Sequence, residues 1–333
     1  GNGVFDQMHI VANGFDSLFD IQVFDIDGDA DLDIVTSETS VGGVAWFENL
    51  DGFGNFGPKI PISDIEVSCY GVDVVDLDGD NDLDVLTTSR TTPDGSYWHE
   101  NLDGLGDFGP AISLIETSAW PRRVKAADID GDGDNDPILS NSLGNLIEWA
   151  ENLDGQGAIG SPLIVTNSVE MPIWIHPVDF DQDNDTDIIS TNLTNNGEIV
   201  WLRNTNGLGN FELEIIKSDL GYRPWCIYPV DFDMDGDLDI LYTGIIFNSS
   251  SGAIFWIENL GNETFGSAQT IEDNNYDYPR SIFIADFDGD GDSDFAVTAA
   301  QSNRVAWFEN LSPTLGINDN AYLHFSILPN PVR

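Results

Sequence analysis

The sequence predicts an all-β chain folded as a six-bladed β-propeller with four-stranded antiparallel blades. Three observations point there. An Asp-rich nine-residue motif recurs six times, at intervals of roughly 52 residues. Each unit holds four short runs of β-branched and aromatic residues bounded by Gly, Asn and Asp, which are strand and turn signals. No stretch places apolar residues at helical spacing between caps. Four short strands repeated at this period form the pattern of a propeller, where each sheet buries its face against the next. Six motifs imply six blades, or seven if the sequence is part of a longer chain.

Within the first unit, Ile21–Phe24 enters the Asp motif and Leu32–Thr36 leaves it. Val44–Phe47 is the third strand, Glu48–Gly52 a turn, and the stretch from Phe56 to Ile62 the fourth strand. Residues 1–16 match the stretch from Gly54 to Ile62, so the chain opens partway through a unit. Val4–Ile10 is therefore expected to complete the last blade by pairing antiparallel with Arg304–Asn310, which would remove an exposed sheet edge. The third strand carries Trp46, Trp98, Trp149, Trp201, Trp256 and Trp307, and an Asn follows each by three residues, from Asn49 to Asn310. The Trp reads as an apolar plug between neighbouring sheets with its N–H hydrogen-bonded, and the Asn as a turn closed by its side chain.

The motif places five carboxylates at alternate positions: Asp25, Asp27, Asp29, Asp31 and Asp33 in the first unit, then Asp76, Asp78, Asp80, Asp82 and Asp84. The third and fourth copies are Asp128, Asp130, Asp132, Asp134 and Asp136, and Asp179, Asp181, Asp183, Asp185 and Asp187. The last two are Asp231, Asp233, Asp235, Asp237 and Asp239, and Asp286, Asp288, Asp290, Asp292 and Asp294. Like charges a few Å apart repel by about 1 kcal/mol in water and several-fold more at a protein surface, so such clusters call for a cation. All-oxygen donors without His or Cys suit calcium, up to six ions in all. The EF-hand is set aside, because position 12 is never Glu and strands rather than helices flank the loop. Position 6 calls for a left-handed backbone, which suits Gly133, Gly236, Gly291, Asn81 and Asn184 and fits Ala30 poorly. Position 4 holds Gly except at Gln182 and Met234, which reads as a permissive position.

Phe56-Gly57 together with Asp76–Asp84 resembles the FG-GAP and VCBS repeat family, calcium-binding propeller repeats also found in integrin α-subunit heads. The resemblance covers residues 1–311. It implies that side chains at positions 1, 3, 5 and 9 bind the ion and that position 7 gives its backbone carbonyl. It leaves function open, since such repeats serve adhesins, lectin-like modules and lyases. Residues 312–333 break the pattern. After a linker, Phe325-Ser-Ile-Leu-Pro-Asn-Pro331 resembles the start of the C-terminal sorting domain carried by type IX secretion substrates of Bacteroidota. That resemblance implies a partner in the secretion machinery and an extracellular or outer-membrane location.

The formal charge is −48, and six divalent ions would bring it to −36. With only 11 Lys and Arg the chain makes a poor nucleic-acid partner, and no run of 18 apolar residues marks a membrane span. Cys69 and Cys226 occupy corresponding segments of the second and fifth units and read as buried, unpaired thiols. No nucleophile elbow, phosphate loop or metal-binding His pair appears, so an enzyme reading has no positive support, although a carboxylate pair would be invisible among 59 acidic residues. Aromatic and basic residues gather just before the Asp motifs: Tyr70, Trp120, Arg122, Trp174, Arg223, Trp225 and Arg280. They lie at the strand end away from the loops, where a propeller has its channel mouth, and form the candidate ligand site. Aromatic faces for sugar rings and Arg for carboxylate or sulfate suggest an acidic glycan. The function expected is recognition or adhesion toward glycan or protein. The rivals are a polysaccharide lyase or glycosidase on the same fold, and a structural module of a surface assembly.

Overall fold

A computed structural model of the chain describes residues 11–12, 18–39, 43–63, 68–91, 93–117, 119–194, 196–246, 249, 251–286, 291–299 and 304–310. Among them all regular structure is β. The first blade is β1 (Leu18–Phe24), β2 (Asp33–Glu38), β3 (Val44–Phe47) and β4 (Ile60–Pro61). The second is β5 (Val72–Val75), β6 (Asp84–Ser89), β7 (Asp94–His99) and β8 (Ile112–Thr117), and the third β9 (Pro121–Ala127), β10 (Asp136–Asn141), β11 (Leu146–Trp149) and β12 (Leu163–Thr166). The fourth is β13 (Pro172–Val178), β14 (Asp187–Asn192), β15 (Glu198–Asn204) and β16 (Phe211–Ser218), and the fifth β17 (Tyr222–Val230), β18 (Asp239–Ile246), β19 (Ser251–Ile257) and β20 (Gln269–Asp277). The sixth contains β21 (Pro279–Ala285), β22 (Asp294–Ala299) and β23 (Arg304–Phe308). Every sheet runs in chain order, the meander of a propeller blade. The architecture is a six-bladed β-propeller. Residues 4–10, expected as the missing strand of the sixth blade, and the tail 312–333 lie outside the described residues.

The chain divides into two compact units. One takes Met8–Ser190 and Trp201–Glu214, the other Thr191–Val200 and the chain from Ile215 on. In the first, the second strand of each blade is buried along most of its length, as β6 and β10 show, while β8 and β12 keep exposed residues. The core therefore sits between sheets. Ile26, Val35, Val44 and Trp46 pack with Val72, Val74 and Val85 of the next blade, and Leu77, Leu86 and Trp98 pack with Val124, Leu139 and Ala150 of the one after.

Trp46, Trp98 and Trp149 are wedges between blades, and turn glycines make room for them. A Cβ at Gly106, Gly157 or Gly209 would come within 2.3–2.5 Å of the rings of Trp46, Trp98 and Trp149, each in the preceding blade. Those glycines have φ of +85°, +82° and +71°, so the same positions also require left-handed backbone. The indole N–H of Trp201 donates to Asp187 and that of Trp256 to Asp239. Trp46 and Trp149 make no such bond among the described residues, contrary to expectation, so apolar packing is what those two share with the others. Cys69 and Cys226 are buried and are not disulfide-bonded.

Candidate functional site

Each Asp loop joins the first and second strands of its blade and wraps on its own carboxylates. The first Asp takes the position-6 N–H through Oδ2: Asp25 from Ala30 at 3.0 Å, Asp76 from Asn81 at 3.0 Å and Asp231 from Gly236 at 3.1 Å. The fifth-position carboxylate takes the seventh N–H, as Asp80 does from Asp82 at 2.9 Å. Position 6 is left-handed in all six loops, with φ from +73° at Asn184 to +100° at Gly236. Ala30 is held at +74° despite its Cβ. Position 4 is not permissive in the sense expected. Gly28, Gly79 and Gly131 have φ of +72° to +79°, and Gln182 and Met234 are forced to +61°. The loop dictates that backbone, and these two side chains bear its strain.

The carboxylates divide by role. The seventh-position Asp turns to the glycine of the third-strand turn, so that a Cβ at Gly52 would meet Asp31 at 2.3 Å and one at Gly104 would meet Asp82 at 2.4 Å. The ninth-position Asp is buried throughout and holds backbone with both oxygens. Asp84 accepts from Asn101 N at 2.9 Å and Leu77 N at 3.1 Å, and Asp136 from Asn152 N at 2.7 Å and Ile129 N at 3.0 Å. Burial pushes Asp84, Asp136 and Asp239 up to about 7 and Asp187 to about 6, against the pull of these N–H donors. Positions 1 and 3 come together with position 5 or 9 in five loops: Asp25, Asp27 and Asp29; Asp76, Asp78 and Asp84; Asp128, Asp130 and Asp136; Asp179, Asp181 and Asp183; Asp231, Asp233 and Asp235. Their oxygens lie within 4.8 Å of one another, as two ligands on one ion would at calcium–oxygen distances of about 2.4 Å. The buried Oδ1 atoms of Asp25, Asp130, Asp179 and Asp231 have no hydrogen-bond partner among the described residues. In the first, third and fifth loops, all-oxygen donors with unpartnered buried lone pairs fit a hard divalent cation, whereas in the fourth Arg203 Nη2 already lies 2.6 Å from Asp181 Oδ2. In the sixth loop Asp288 and Asp290 lie outside the described residues.

The aromatic and basic candidates fall into separate groups. In the first unit the Tyr70 ring faces two guanidinium groups, Arg90 at 3.6 Å and Arg122 at 5.2 Å, with Phe19 edge-on at 4.8 Å. Arg90 also lies 4.6 Å from the Trp120 ring. Trp120 is 47% exposed at φ +61°, an unusual conformation for a bulky residue. All five side chains sit at the blade ends away from the Asp loops. Arg90 donates through Nε to Pro121 O, while its buried Nη2 has no partner among the described residues. Burial lowers its pKa, partly offset by Tyr70 and Asp94. Sequence reasoning missed Arg90, because it follows β6 and comes after an Asp motif, whereas the candidates were sought among residues that precede the motifs. Trp174 belongs elsewhere: it is covered at 3.4 Å by Arg123, which is buried and paired with Asp20. In the second unit Arg280 lies over Trp225 at 4.1 Å and beside Tyr278 at 5.2 Å. Arg223 is the second residue of β17 and pairs with Ile245.

No helix among the described residues is long and apolar enough to cross a membrane. No curated protein matches the chain in sequence. Among solved structures it is similar to the Vibrio cholerae biofilm matrix protein Bap1, with 16% identity and a TM-score of 0.50 over 82% of this chain and 42% of that one. It is also similar to an auxiliary nutrient binding protein from Bacteroides ovatus, with 13% identity and a TM-score of 0.52 over 87% and 68%. A third is the Dos1 propeller, with 9% identity and a TM-score of 0.50 over 81% and 68%. These likenesses concern the fold, and the chain spans less than half the length of Bap1. The FG-GAP-like repeat model matches residues 25–87, 179–242 and 245–297, more than half of the sequence, and each segment contains an Asp loop or the strands around one. The chain belongs to the FG-GAP-like repeat family.

Proposed function

We propose that the chain is a secreted or cell-surface calcium-binding recognition module, stiffened by ions in its Asp loops and binding glycan or protein at the loop-distal blade ends. The loops carry the reading, since clustered carboxylates with unpartnered buried oxygens make sense in a calcium-rich extracellular medium. Among the partners, an acidic glycan is favoured by the Tyr70 group. Two guanidinium groups converge on one ring beside an exposed Trp, which pairs anion recognition with a stacking face. Trp225 and Arg280 offer the same chemistry in the second unit. Relatives of fold that serve in a biofilm matrix and in nutrient binding are in keeping with such a role. The resemblance of Phe325–Pro331 to a type IX sorting segment is in keeping with export.

The test is a glycan array probed in millimolar calcium, followed by titration with a short oligouronate, a sulfated oligosaccharide and a neutral one. Trp120→Gly should weaken binding at least tenfold with melting unchanged or raised, because Gly relieves the left-handed strain at position 120, and Arg90→Gln should weaken it as much with a lower melting midpoint, because Pro121 O loses its donor. Trp225→Ala and Arg280→Ala report on the second unit. Folded variants that bind as the parent does remove these groups from the site. New reducing or unsaturated ends in an incubated polysaccharide would favour a lyase or glycosidase instead. A blank array would favour a structural module.

A further inference from the structure

One loop carries its own cation. Arg203 Nη2 pairs with Asp181 Oδ2 at 2.6 Å, and Asp181 is the third-position carboxylate of the fourth Asp loop. Arg203 immediately precedes the turn Asn, and in the other five units that position holds Glu48, Glu100, Glu151, Glu258 and Glu309. Three of these glutamates act on the loop of their own blade. After burial and the neighbouring loop carboxylates, Glu100 helps push Asp78 up and Glu258 helps push Asp233 up, and Glu151 does the same to Asp130. In these three units a negative charge thus stands beside the third-position Asp, and the fourth unit places a positive one there. The guanidinium is steadied by the Trp201 ring, 5.2 Å away.

We infer that Arg203 takes the place of the divalent ion in the fourth loop, so that this loop keeps its shape without calcium while the Glu-flanked loops depend on it. The fourth-loop backbone is wrapped like the others, with Asp179 accepting from Asn184 N at 3.1 Å and Asp183 from Asp185 N at 3.0 Å. An incoming calcium ion would meet a fixed charge of its own sign beside the loop and would have to share Asp181, whose Oδ2 is paired with Arg203 while its Oδ1 has no hydrogen-bond partner among the described residues. The loop would then be an ion-independent brace in a protein whose other loops respond to calcium.

The experiment counts bound calcium on the full chain by native mass spectrometry and isothermal titration. Asp181→Asn should leave the parent count unchanged, whereas Asp78→Asn and Asp130→Asn should each lose one ion. Arg203→Gln should gain one ion or tighten the weakest site at least tenfold. The inference rests on calcium filling the other loops, and the outcomes separate the two ideas. A parent that binds no calcium sinks the calcium reading itself. A parent that binds calcium and loses an ion in Asp181→Asn, or a folded Arg203→Gln that gains nothing, overturns only the role given to Arg203. If Arg203→Gln fails to fold, the Asp181→Asn arm decides.

Discussion

Replacing Asn152 by Ala should be among the costliest single changes outside the apolar core. Its Nδ2 donates to Leu77 O in the preceding blade at 2.8 Å and to Asn135 O at 3.3 Å, and its Oδ1 accepts from Gly157 N at 3.2 Å. The residue is fully buried, so Ala leaves these backbone groups with no water to turn to. A hydrogen bond is worth about 1 kcal/mol net, and a buried group left unsatisfied costs about 1–3 kcal/mol. With one good carbonyl bond and one N–H bond lost, the expected destabilisation is about 2–4 kcal/mol. Urea unfolding in millimolar calcium should show a lower midpoint with an unchanged slope. Asn206→Ala serves as the control, since Asn206 closes an exposed turn of the same kind; it should cost less than about 0.5 kcal/mol. Because Leu77 lies within the second Asp loop, Asn152→Ala should also weaken calcium binding there. A loss below about 1 kcal/mol, or one equal to that of Asn206→Ala, would refute the idea that this side chain fastens one blade to the next.

Three further outcomes are expected. Removing calcium with EDTA should lower the melting midpoint and adding it back should restore it, each site contributing about 2.7 kcal/mol at a hundredfold excess over Kd; an unchanged midpoint counts against occupied loops. Ala30→Gly and Met234→Gly should each stabilise by about 0.5–1 kcal/mol, because left-handed strain of about 1–2 kcal/mol is relieved against the added freedom of Gly in the unfolded chain; lower midpoints would contradict the strain found at these φ values. His99 is buried with Nε2 3.1 Å from Thr87 Oγ1, and burial lowers its pKa to about 4. Its folded pKa lies below the unfolded value of about 6.5, so its contribution is full above that value and is lost as pH falls toward 4, by up to about 1.4 kcal/mol per pH unit. The parent should therefore lose stability faster than His99→Gln over that window, and parallel curves would show that His99 titrates normally.

Much of the fold was legible because each constraint left a periodic mark. Position 6 of the loop needs a left-handed residue, and Gly133, Gly236, Asn81 and Asn184 announce it. The Trp of the third strand recurs in the sequence, and at Trp46, Trp98 and Trp149 it fills the same gap beside a turn glycine of the following blade. Position 4 was misread for the opposite reason. Gln182 and Met234 tolerate the strain, so the substitution pattern hid a requirement that the backbone enforces. Arg90 escaped because its place beside Tyr70 depends on two strand ends separated in sequence. Arg203 left a visible signal, one Arg where five units carry Glu, but its meaning appears only once Asp181 is found beside it.

The geometry also explains why loops and blades should respond together. The second residue of an Asp loop is gripped from two sides. Leu77 N is held by Asp84 of its own loop and Leu77 O by Asn152 of the next blade. Ile129 repeats this with Asp136 and Asn204, Ile26 with Asp33 and Asn101, and Phe232 with Asp239 and Asn310. In every case the ninth Asp also holds the backbone N–H of the turn Asn in its own blade. An ion that orders one loop therefore fixes the peptide to which the following blade is tied. Loss of a ninth-position carboxylate removes a staple as well as a candidate ligand, so it should cost stability even where calcium is absent. Loss of a fifth-position carboxylate such as Asp80, which holds only the exposed loop, should matter mainly when calcium is present.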